Sequence, residues 1–195
     1  MIAIIDYGAG NVASVANAVS RLGSDFIITD EIEKLENVAK IIFPGVGEAS
    51  FAVNQLHSRK LFSYLQNTEK PILGICLGMQ LLCSSSEEGD TTGLGIFPLP
   101  VLHFDVSKTK VPHIGWNTVH YNSGNKLFRD IKQDEFFYFA NSYYAPVGLF
   151  TTSVAENNIC FSSSIEKNNF FGVQFHPEKS SAPGLSVLKN FIDHC

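Results

Sequence analysis

The fold of this 195-residue chain is decided by the stretch Pro71–Leu82, with the sequence PILGICLGMQLL. Its first half is a short, continuously apolar run, which is typical of a strand buried on both faces. Its second half has the composition of a helix and follows the strand without any linker. A buried strand that runs directly into a helix favours an α/β protein with a parallel sheet covered on both faces.

The segments before this stretch repeat the same alternation of strand and helix. Apolar runs predict further strands, and residues at helical spacing predict the helices between them. The predicted strands are Ile2–Ile5, Phe26–Thr29 and Ile41–Phe43. The predicted helices are one through Val12, Val15, Ala16, Val19 and Leu22 and one from about Glu48 to Leu65.

The segments after it are richer in short β runs separated by Gly, Pro, Asn and Ser, and we expect them to be partly antiparallel. These runs are Val101–Phe104, Trp116–Tyr121, Phe136–Phe139, Phe150–Val154, Ile159–Ser163 and Phe170–Phe175. A last helix is predicted through Leu185, Leu188, Phe191 and Ile192. There is no internal repeat, and the polar stretch Ser84–Asp90 is too short to divide domains, so residues 1–195 are expected to form one domain.

The composition excludes several classes of protein. Charged residues make up 17% of the chain and apolar residues 45%, which excludes a disordered chain. The net charge of −5 argues against nucleic-acid binding, and the lack of a long apolar run argues against a membrane span. So few charges suggest that part of the surface is covered by another subunit.

The cysteines and histidines show no metal-ligand spacing, so neither a metal nor an organic cofactor is expected. The four cysteines have no CxxC pair, and we expect free thiols in a reducing cytoplasm. Cys83 is expected in a buried helix, Cys160 in a strand and Cys195 at the C-terminus, all without a role in chemistry.

The segment Gly74–Gly78 has the form of a nucleophile elbow, with Cys76 where serine is more common. The two glycines permit a tight turn between strand and helix that presents the side chain above the sheet. The Leu77 amide, which follows the nucleophile, could then face an oxyanion. A buried core cysteine between two glycines would produce the same pattern, and by the pattern alone the two interpretations are about equally good.

A thiolate nucleophile needs a base, and His176 is the best candidate among the six histidines. It ends an apolar strand, and strand ends are where sites form in an open α/β sheet. Glu178 lies two residues further on, so in extended backbone its side chain is on the same face and can orient the imidazole. A surface turn is the alternative for His-Pro-Glu, and the nearby elbow makes a catalytic triad the better interpretation.

Two glycine-rich segments follow other strands. Pro44–Gly47 could present backbone amides to an oxyanion, although a simple turn would have the same sequence. Gly8–Ala13 fits the G-x-G-x-x-A pattern of dinucleotide-binding proteins, with Asp30 after the next strand as a possible ribose ligand. That second interpretation leaves Cys76 and the His-Pro-Glu segment unexplained, and we rank it well below the triad.

Gly74–Gln80 together with Phe175–Glu178 resembles the signature of the class I (triad) glutamine amidotransferases. Ile4–Asn11, Pro44–Gly47 and Val111–Asn117 further resemble the glutaminase subunits of imidazole glycerol phosphate synthase, and the likeness covers the chain from end to end. The resemblance implies a flavodoxin-like class I amidotransferase fold, with a central, largely parallel sheet flanked by helices and further antiparallel strands in the second half.

The resemblance also implies the reaction. Cys76 attacks the side-chain amide of glutamine, His176 oriented by Glu178 protonates the departing ammonia, and water hydrolyses the γ-glutamyl thioester to glutamate. In the family pattern, the Val46 and Leu77 amides hold the oxyanion. The positions that match glutamine-binding residues are Gly47, Gln80, Glu88, Ser142 and Tyr143.

A partner subunit is implied as well, namely a cyclase of (β/α)₈ barrel fold that receives the ammonia within a heterodimer. The complete synthase makes imidazole glycerol phosphate for histidine synthesis and an aminoimidazole carboxamide ribotide. Positions that match the family's interface are Asn11, Pro112, His113, Trp116, Asn117, Tyr138 and Lys179. The chain departs from the family at Asn141, near the glutamine pocket and the interface, where histidine usually precedes the Ser-Tyr pair.

Two other functions fit the same motifs. The chain could be a paralogous subunit that serves a different synthase, for example in a surface-sugar pathway. It could also be a stand-alone cysteine hydrolase, although Gln80 and the Val111–Asn117 segment favour an amidotransferase. A catalytically silent scaffold is disfavoured by the intact Cys76, His176 and Glu178.

Overall fold

The computed structural model describes residues 1–195 and contains thirteen strands in two sheets, with six α-helices. The strands are Ile2–Ile5 (β1), Phe26–Thr29 (β2), Lys40–Gly45 (β3), Ile72–Cys76 (β4), Cys83–Ser86 (β5), Thr91–Thr92 (β6), Phe97–His103 (β7), His113–Tyr121 (β8), Glu135–Asn141 (β9), Tyr143–Tyr144 (β10), Thr151–Glu156 (β11), Cys160–Lys167 (β12) and Phe170–Val173 (β13). The helices are Val12–Arg21 (α1), Ile32–Glu36 (α2), Ala49–Ser58 (α3), Leu61–Asn67 (α4), Leu77–Leu82 (α5) and Ser181–His194 (α6), and Pro177–Lys179 forms a 3₁₀ turn.

The larger sheet has nine strands in the order β2-β1-β3-β4-β13-β12-β11-β8-β9. The five strands from β2 to β13 are parallel, and their order corresponds to the 2-1-3-4-5 order of flavodoxin-like sheets. The predicted parallel sheet is therefore confirmed. Strands β1, β3 and β4 are buried along nearly their whole length, as their continuous apolar runs require, whereas the edge strand β2 is partly exposed.

The four remaining strands of this sheet, β12, β11, β8 and β9, are antiparallel, which confirms the predicted change of character in the second half. A second, smaller sheet has the order β10-β7-β5-β6. Strand β9 forms one edge of the large sheet, so only β8 pairs with it.

The core consists of two apolar clusters, one on each face of the large sheet. Successive residues of one strand alternate between them: Ile41 and Phe43 belong to one cluster and Ile42 to the other. This alternation follows from the two-residue repeat of a strand. No helix is long and apolar enough to cross a membrane.

The single helix expected from about Glu48 to Leu65 is wrong, because the structure divides it into α3 and α4. The break is at Lys60, whose φ of 61° is left-handed. The apolar stripe of α3 includes Ala52 and Leu56, but the next apolar residue is Leu61, five positions on and out of phase with a continuous helix. A break lets both apolar faces pack on the same core.

The expectation that Cys83 lies in a helix is also wrong. Helix α5 ends at Leu82, and Cys83 begins strand β5. Ser85 and Ser86 pair with Pro100 and Val101 of strand β7, so a polar segment without apolar alternation is a strand of the second sheet. Tertiary pairing decides its conformation here, against its weak intrinsic preference.

Candidate active site

Cys76 lies at the junction of β4 and α5 with φ 54° and ψ −111°. A non-glycine residue with positive φ is strained, and such strain is found mainly at functional sites, where it holds a side chain in a required direction. The adjacent Leu77 is the first residue of α5, so its amide has no partner within the helix. This geometry is that of a nucleophile elbow.

The elbow depends on close contact between the backbones of β3, β4 and α5. A Cβ atom added to Gly78 would lie 1.9 Å from the Phe43 carbonyl oxygen, and one added to Gly74 would lie 2.7 Å from the Met79 amide nitrogen. No side chain fits at either position. These two glycines allow the helix to begin directly against the sheet, which fixes where Cys76 projects.

His176 lies just beyond the carboxyl end of β13, which is next to β4 in the sheet. Its Nδ1 atom is 2.9 Å from Glu178 Oε1, and both side chains are buried. Ser180 holds this turn: its hydroxyl donates to the His176 carbonyl at 2.6 Å and accepts from the Tyr138 amide at 2.9 Å. The imidazole is therefore fixed between Glu178 and Cys76.

The charge state of His176 is set by competing effects. Burial disfavours the imidazolium, but hydrogen bonds to Cys76 and Glu178 and the charges of both groups outweigh it and raise the pKa of His176 to about 10. A protonated His176 beside a thiolate is the pair that a cysteine nucleophile needs.

A cavity of about 280 Å³ opens in front of Cys76. Its size suits a small amino acid, and it contains both charged and polar groups. It is lined by Val46, Gly47, Cys76, Leu77, Gln80, Glu88, Ala140, Asn141, Ser142, Tyr143, His176 and Lys179. Every residue expected to bind glutamine or its oxyanion lines this cavity, and Glu178 lies behind His176. No group of three or more His, Cys, Asp or Glu side chains is arranged to hold a metal ion.

Two polar side chains of the cavity have contrasting environments. Gln80 donates both amide hydrogens, one to the Tyr143 carbonyl at 3.0 Å and one to Gln174 Oε1 at 2.9 Å, which leaves its oxygen free to accept a bond from a ligand. Glu88 accepts from the Ala49 amide at 2.9 Å. Burial raises the pKa of Glu88, the Ala49 hydrogen bond partly offsets this, and nearby Glu48 adds to it.

Val46 has a different position from the other residues of the cavity. It follows strand β3, its side chain is exposed, and Gly47 after it has φ 98°. No carbonyl accepts from the Val46 amide, so this donor is available to a ligand at the cavity mouth.

Three of the seven residues expected at a partner interface form one surface cluster beside the cavity. The Trp116 and Tyr138 rings are 6.1 Å apart, edge to face, and Lys179 Nζ lies 5.8 Å from the centre of the Tyr138 ring. Trp116 is 51% exposed. Ile114 and Phe136 lie on the same outward face and are also exposed, which makes the face apolar.

The other four residues expected there are placed differently. Pro112 is exposed and precedes β8, and Asn11 is half-buried just before α1. His113 and Asn117 lie on the inward face of β8, where the His113 ring packs against Phe139 and Asn117 Nδ2 donates to the Glu156 carbonyl at 2.7 Å. The place of these four residues in a partner interface stays a prediction.

The unusual Asn141 is buried at the end of β9, opposite His113 in the strand pairing. Its amide nitrogen donates to the Tyr143 carbonyl at 2.9 Å, and its side-chain oxygen has no hydrogen-bond partner. Burial lowers the pKa of His113, and the neighbouring Asn141 raises it in part. Asn141 is thus part of the cavity wall and is tied to the neighbouring Tyr143.

The sequence interpretation missed two features of the site. Ala140 lines the cavity, because β9 extends further than its apolar run predicts, and Asn141, which the sequence had already placed near the glutamine pocket, lines it too. The Gln174 amide nitrogen lies 3.7 Å from the Cys76 sulfur, although Gln174 does not line the cavity. The two-residue spacing of Gln174 and His176 in the apolar run that the sequence predicts as a strand is the signal that could have identified it.

Comparison with known proteins agrees with this geometry. The family model of class-I glutamine amidotransferases matches residues 3–195. The imidazole glycerol phosphate synthase subunit HisH of Bacteroides thetaiotaomicron is 45% identical over 98% of both chains, and that of Pectobacterium atrosepticum is 44% identical over 98% of both.

Solved structures show the same fold at lower sequence identity. A crystal structure of a glutamine amidotransferase has a TM-score of 0.75 at 15% identity, covering 98% of this chain and 99% of that one. PurLQS from Thermotoga maritima has a TM-score of 0.70 at 16% identity, with 99% of this chain and 97% of that chain covered.

Proposed function

The chain belongs to the class I glutamine amidotransferase family, and on that premise we propose that it is the glutaminase subunit of an imidazole glycerol phosphate synthase. The observation that carries the proposal is the cavity in which a strained Cys76 and a His176 paired with Glu178 meet the residues expected to bind glutamine. The relatives that match over the whole length are named as this subunit.

The reaction begins with the Cys76 thiolate, which attacks the side-chain amide carbon of glutamine. His176 then gives its proton to the departing nitrogen, so that ammonia leaves and a γ-glutamyl thioester remains. Neutral His176 next takes a proton from water, whose oxygen attacks the thioester. Glutamate leaves, the Cys76 thiolate returns and His176 is again protonated. Glu178 stabilises the imidazolium throughout.

The remaining residues of the cavity bind the substrate. The Leu77 and Val46 amides donate to the oxyanion that forms at the attacked carbon. Glu88 and Lys179 have the charges needed for the α-ammonium and α-carboxylate of glutamine. Ser142, Tyr143 and Gly47 shape the cavity, and the free oxygen of Gln80 accepts a bond from the substrate.

We infer that a cyclase subunit of (β/α)₈ barrel fold covers the cavity mouth. The supporting feature is the outward face of β8 and β9, where Ile114, Trp116 and Phe136 are each more than half exposed. Exposed aromatic residues grouped on one face are typical of the buried centre of an interface. Covering this face would shelter ammonia from water, where it becomes ammonium and loses its nucleophilicity. The complex is expected in the cytoplasm.

The alternative functions have less support. The oxygen of Asp30 that would bind a ribose is 3.1 Å from Arg59 Nε, and family membership argues against a dinucleotide site. A stand-alone hydrolase would not need the exposed aromatic face. A role with a different synthase is not favoured, because the relatives that match are named as subunits of imidazole glycerol phosphate synthase.

The test uses the purified complex of this chain with the cyclase. Cys76→Ala should abolish synthesis from glutamine and leave synthesis from added ammonium salts unchanged. Cys160→Ala, at an exposed thiol, is the matched control and should change neither. Synthesis from glutamine that survives Cys76→Ala would disprove the mechanism, and failure to copurify with a cyclase that consumes the histidine precursor would disprove the pathway.

A further inference from the structure

We propose that Gln174 is a second hydrogen-bond donor to the Cys76 nucleophile and that the same side chain fixes Gln80 in the substrate cavity. The proposal deepens the glutaminase function and rests on it. Gln174 Nε2 lies 3.7 Å from Cys76 Sγ, and Gln174 Oε1 accepts from Gln80 Nε2 at 2.9 Å. One buried amide thus contacts both the reacting sulfur and a residue of the substrate cavity.

The sheet register explains why Gln174 reaches Cys76. Strands β13 and β4 are parallel, with Gly172 opposite Gly74 and Val173 opposite Ile75. Continuing this register places residue 174 beside residue 76. Phe171, Val173 and Phe175 belong to one core cluster, whereas the Gln174 side chain reaches Gln80 of α5.

The orientation of the Gln174 amide is fixed by its neighbours. The carbonyl oxygen of Tyr143 can only accept, so the Gln80 group that faces it must be the amide nitrogen. That nitrogen also faces Gln174, whose oxygen must therefore accept from it. The Gln174 nitrogen is the group that remains, and it faces the sulfur. A backbone carbonyl thus determines that Cys76 meets a donor.

The burial of Gln174 indicates that its amide has a function. The residue is fully buried, and an apolar residue of the same volume would avoid the cost of removing an amide from water. Ala140, whose carbonyl oxygen lies 4.0 Å from Cys76 Sγ, offers an acceptor that suits the neutral thiol and disfavours the thiolate. Apart from His176, Gln174 is the side chain that donates to the thiolate.

The consequence concerns the ionisation of Cys76. A donor bond is stronger to a thiolate than to a thiol or thioester, so Gln174 favours the thiolate before attack and again when the thioester breaks. Removing the Gln174 amide nitrogen should make the Cys76 thiol harder to ionise. Removing the Gln174 amide oxygen should leave the Gln80 side chain free to move and weaken substrate binding.

The experiment measures alkylation of Cys76 by iodoacetamide against pH in the full-length chain, with the modified peptide quantified by mass spectrometry. In Gln174→Met, which keeps the volume and removes the amide, the midpoint of the profile should rise by about one pH unit, as loss of a hydrogen bond to a charged group predicts. Asn190→Leu is the matched control, because Asn190 is also a buried amide, bonded to the Leu127 and Arg129 carbonyls, and should leave the midpoint unchanged.

A midpoint shift of about half a unit or more supports the proposal, and a smaller shift in a folded variant overturns it. If Gln174→Met does not fold, the alkylation profile of Gln174→Asn is judged by the same criterion. Its shorter side chain withdraws the amide donor from the Cys76 sulfur. In the complex, Gln174→Met should lower kcat about tenfold and raise the KM for glutamine. Alkylation needs neither glutamine nor the cyclase, so its outcome is independent of whether the proposed function fails.

Discussion

At the scale of single residues, the site is a set of polar groups whose ionisation depends on burial and on each other. His176 is the clearest case, because burial alone would keep it neutral, whereas Cys76 and Glu178 favour its charged form. Glu88 shows the opposite balance, since burial favours its neutral form. Both pKa values are raised, which favours the charged form of His176 and the neutral form of Glu88, and each shift has a consequence for the pH dependence.

The first effect concerns the titration of His176. Its pKa is raised to about 10, so the imidazolium should persist well above pH 7 in the folded chain. Cys76→Ala removes a hydrogen bond and a negative charge while burial remains, so the pKa of His176 should fall. The titration is measured by NMR of the imidazole Cε1–H signals, with His176→Asn to assign the resonance. An unchanged titration in Cys76→Ala would show that the two side chains are not coupled.

The second effect concerns substrate binding by Glu88. Because burial raises the pKa of Glu88, its carboxylate becomes protonated at a higher pH than that of an exposed glutamate. The KM for glutamine should therefore rise as the pH falls through the pKa of Glu88. Glu88→Gln should raise KM at least tenfold at pH 7, as expected for loss of a charged hydrogen bond of about 1.5 kcal/mol or more. Glu36→Gln, at an exposed carboxylate of α2, should not change KM. Steady-state kinetics of the complex measures both.

The triad could be predicted from residue types in short motifs, because strand ends fix the direction of the next side chains, whereas the other cavity residues were expected mainly from the family resemblance. Gln174 was not predicted, since a polar residue before His176 has no visible partner until β13 is paired with β4. The inward direction of His113 was equally hidden, because it depends on which face of β8 meets Phe139.

At the scale of elements, the site depends on α5 beginning against the backbone of β3. The contact exists because Gly78 has no side chain, and the Phe43 carbonyl occupies the space where a Cβ would be. The sequence revealed this helix through the two glycines of the elbow. It did not reveal the break between α3 and α4, although the five-residue step from Leu56 to Leu61 contains that information.

Gly78→Ala tests this contact. A Cβ only 1.9 Å from a carbonyl oxygen forces α5 away from β3, so the variant should lose about 3 kcal/mol or more of unfolding free energy, measured by urea denaturation. Gly148→Ala is the matched control, because its nearest neighbour would be a Leu99 methyl at 3.5 Å. Equal stability of the two variants would contradict the close packing of the elbow.

At the scale of the whole molecule, the antiparallel half of the sheet carries an exposed apolar face beside the cavity. If the proposed partner covers this face, the low charged fraction of 17% has a physical cause, since a covered surface does not need charges. Composition alone predicted a covered surface but not its location. The pairing of β8 with β9 places Ile114, Trp116 and Phe136 on one side, which is the location that we propose for this surface.

Trp116→Ala tests the location of the interface. Trp116 is a large exposed aromatic at the centre of the face, and its truncation should weaken binding of the cyclase by about 2 kcal/mol, which is roughly a 30-fold rise in Kd. Leu149→Ala removes a side chain that is 91% exposed in the loop between β10 and β11, and it should leave Kd unchanged. Isothermal titration calorimetry measures both. Equal Kd values for Trp116→Ala and the unmodified chain would place the interface elsewhere.

The most direct test of the glutaminase account is the covalent labelling of the complex by a diazoketone analogue of glutamine. Such an analogue occupies the glutamine cavity and alkylates the nucleophile within it. The account predicts one adduct per chain on Cys76, with loss of glutamine-dependent synthesis in proportion to labelling and protection by excess glutamine. An adduct on Cys83, Cys160 or Cys195, or full synthesis from glutamine by a chain labelled at Cys76, would contradict it.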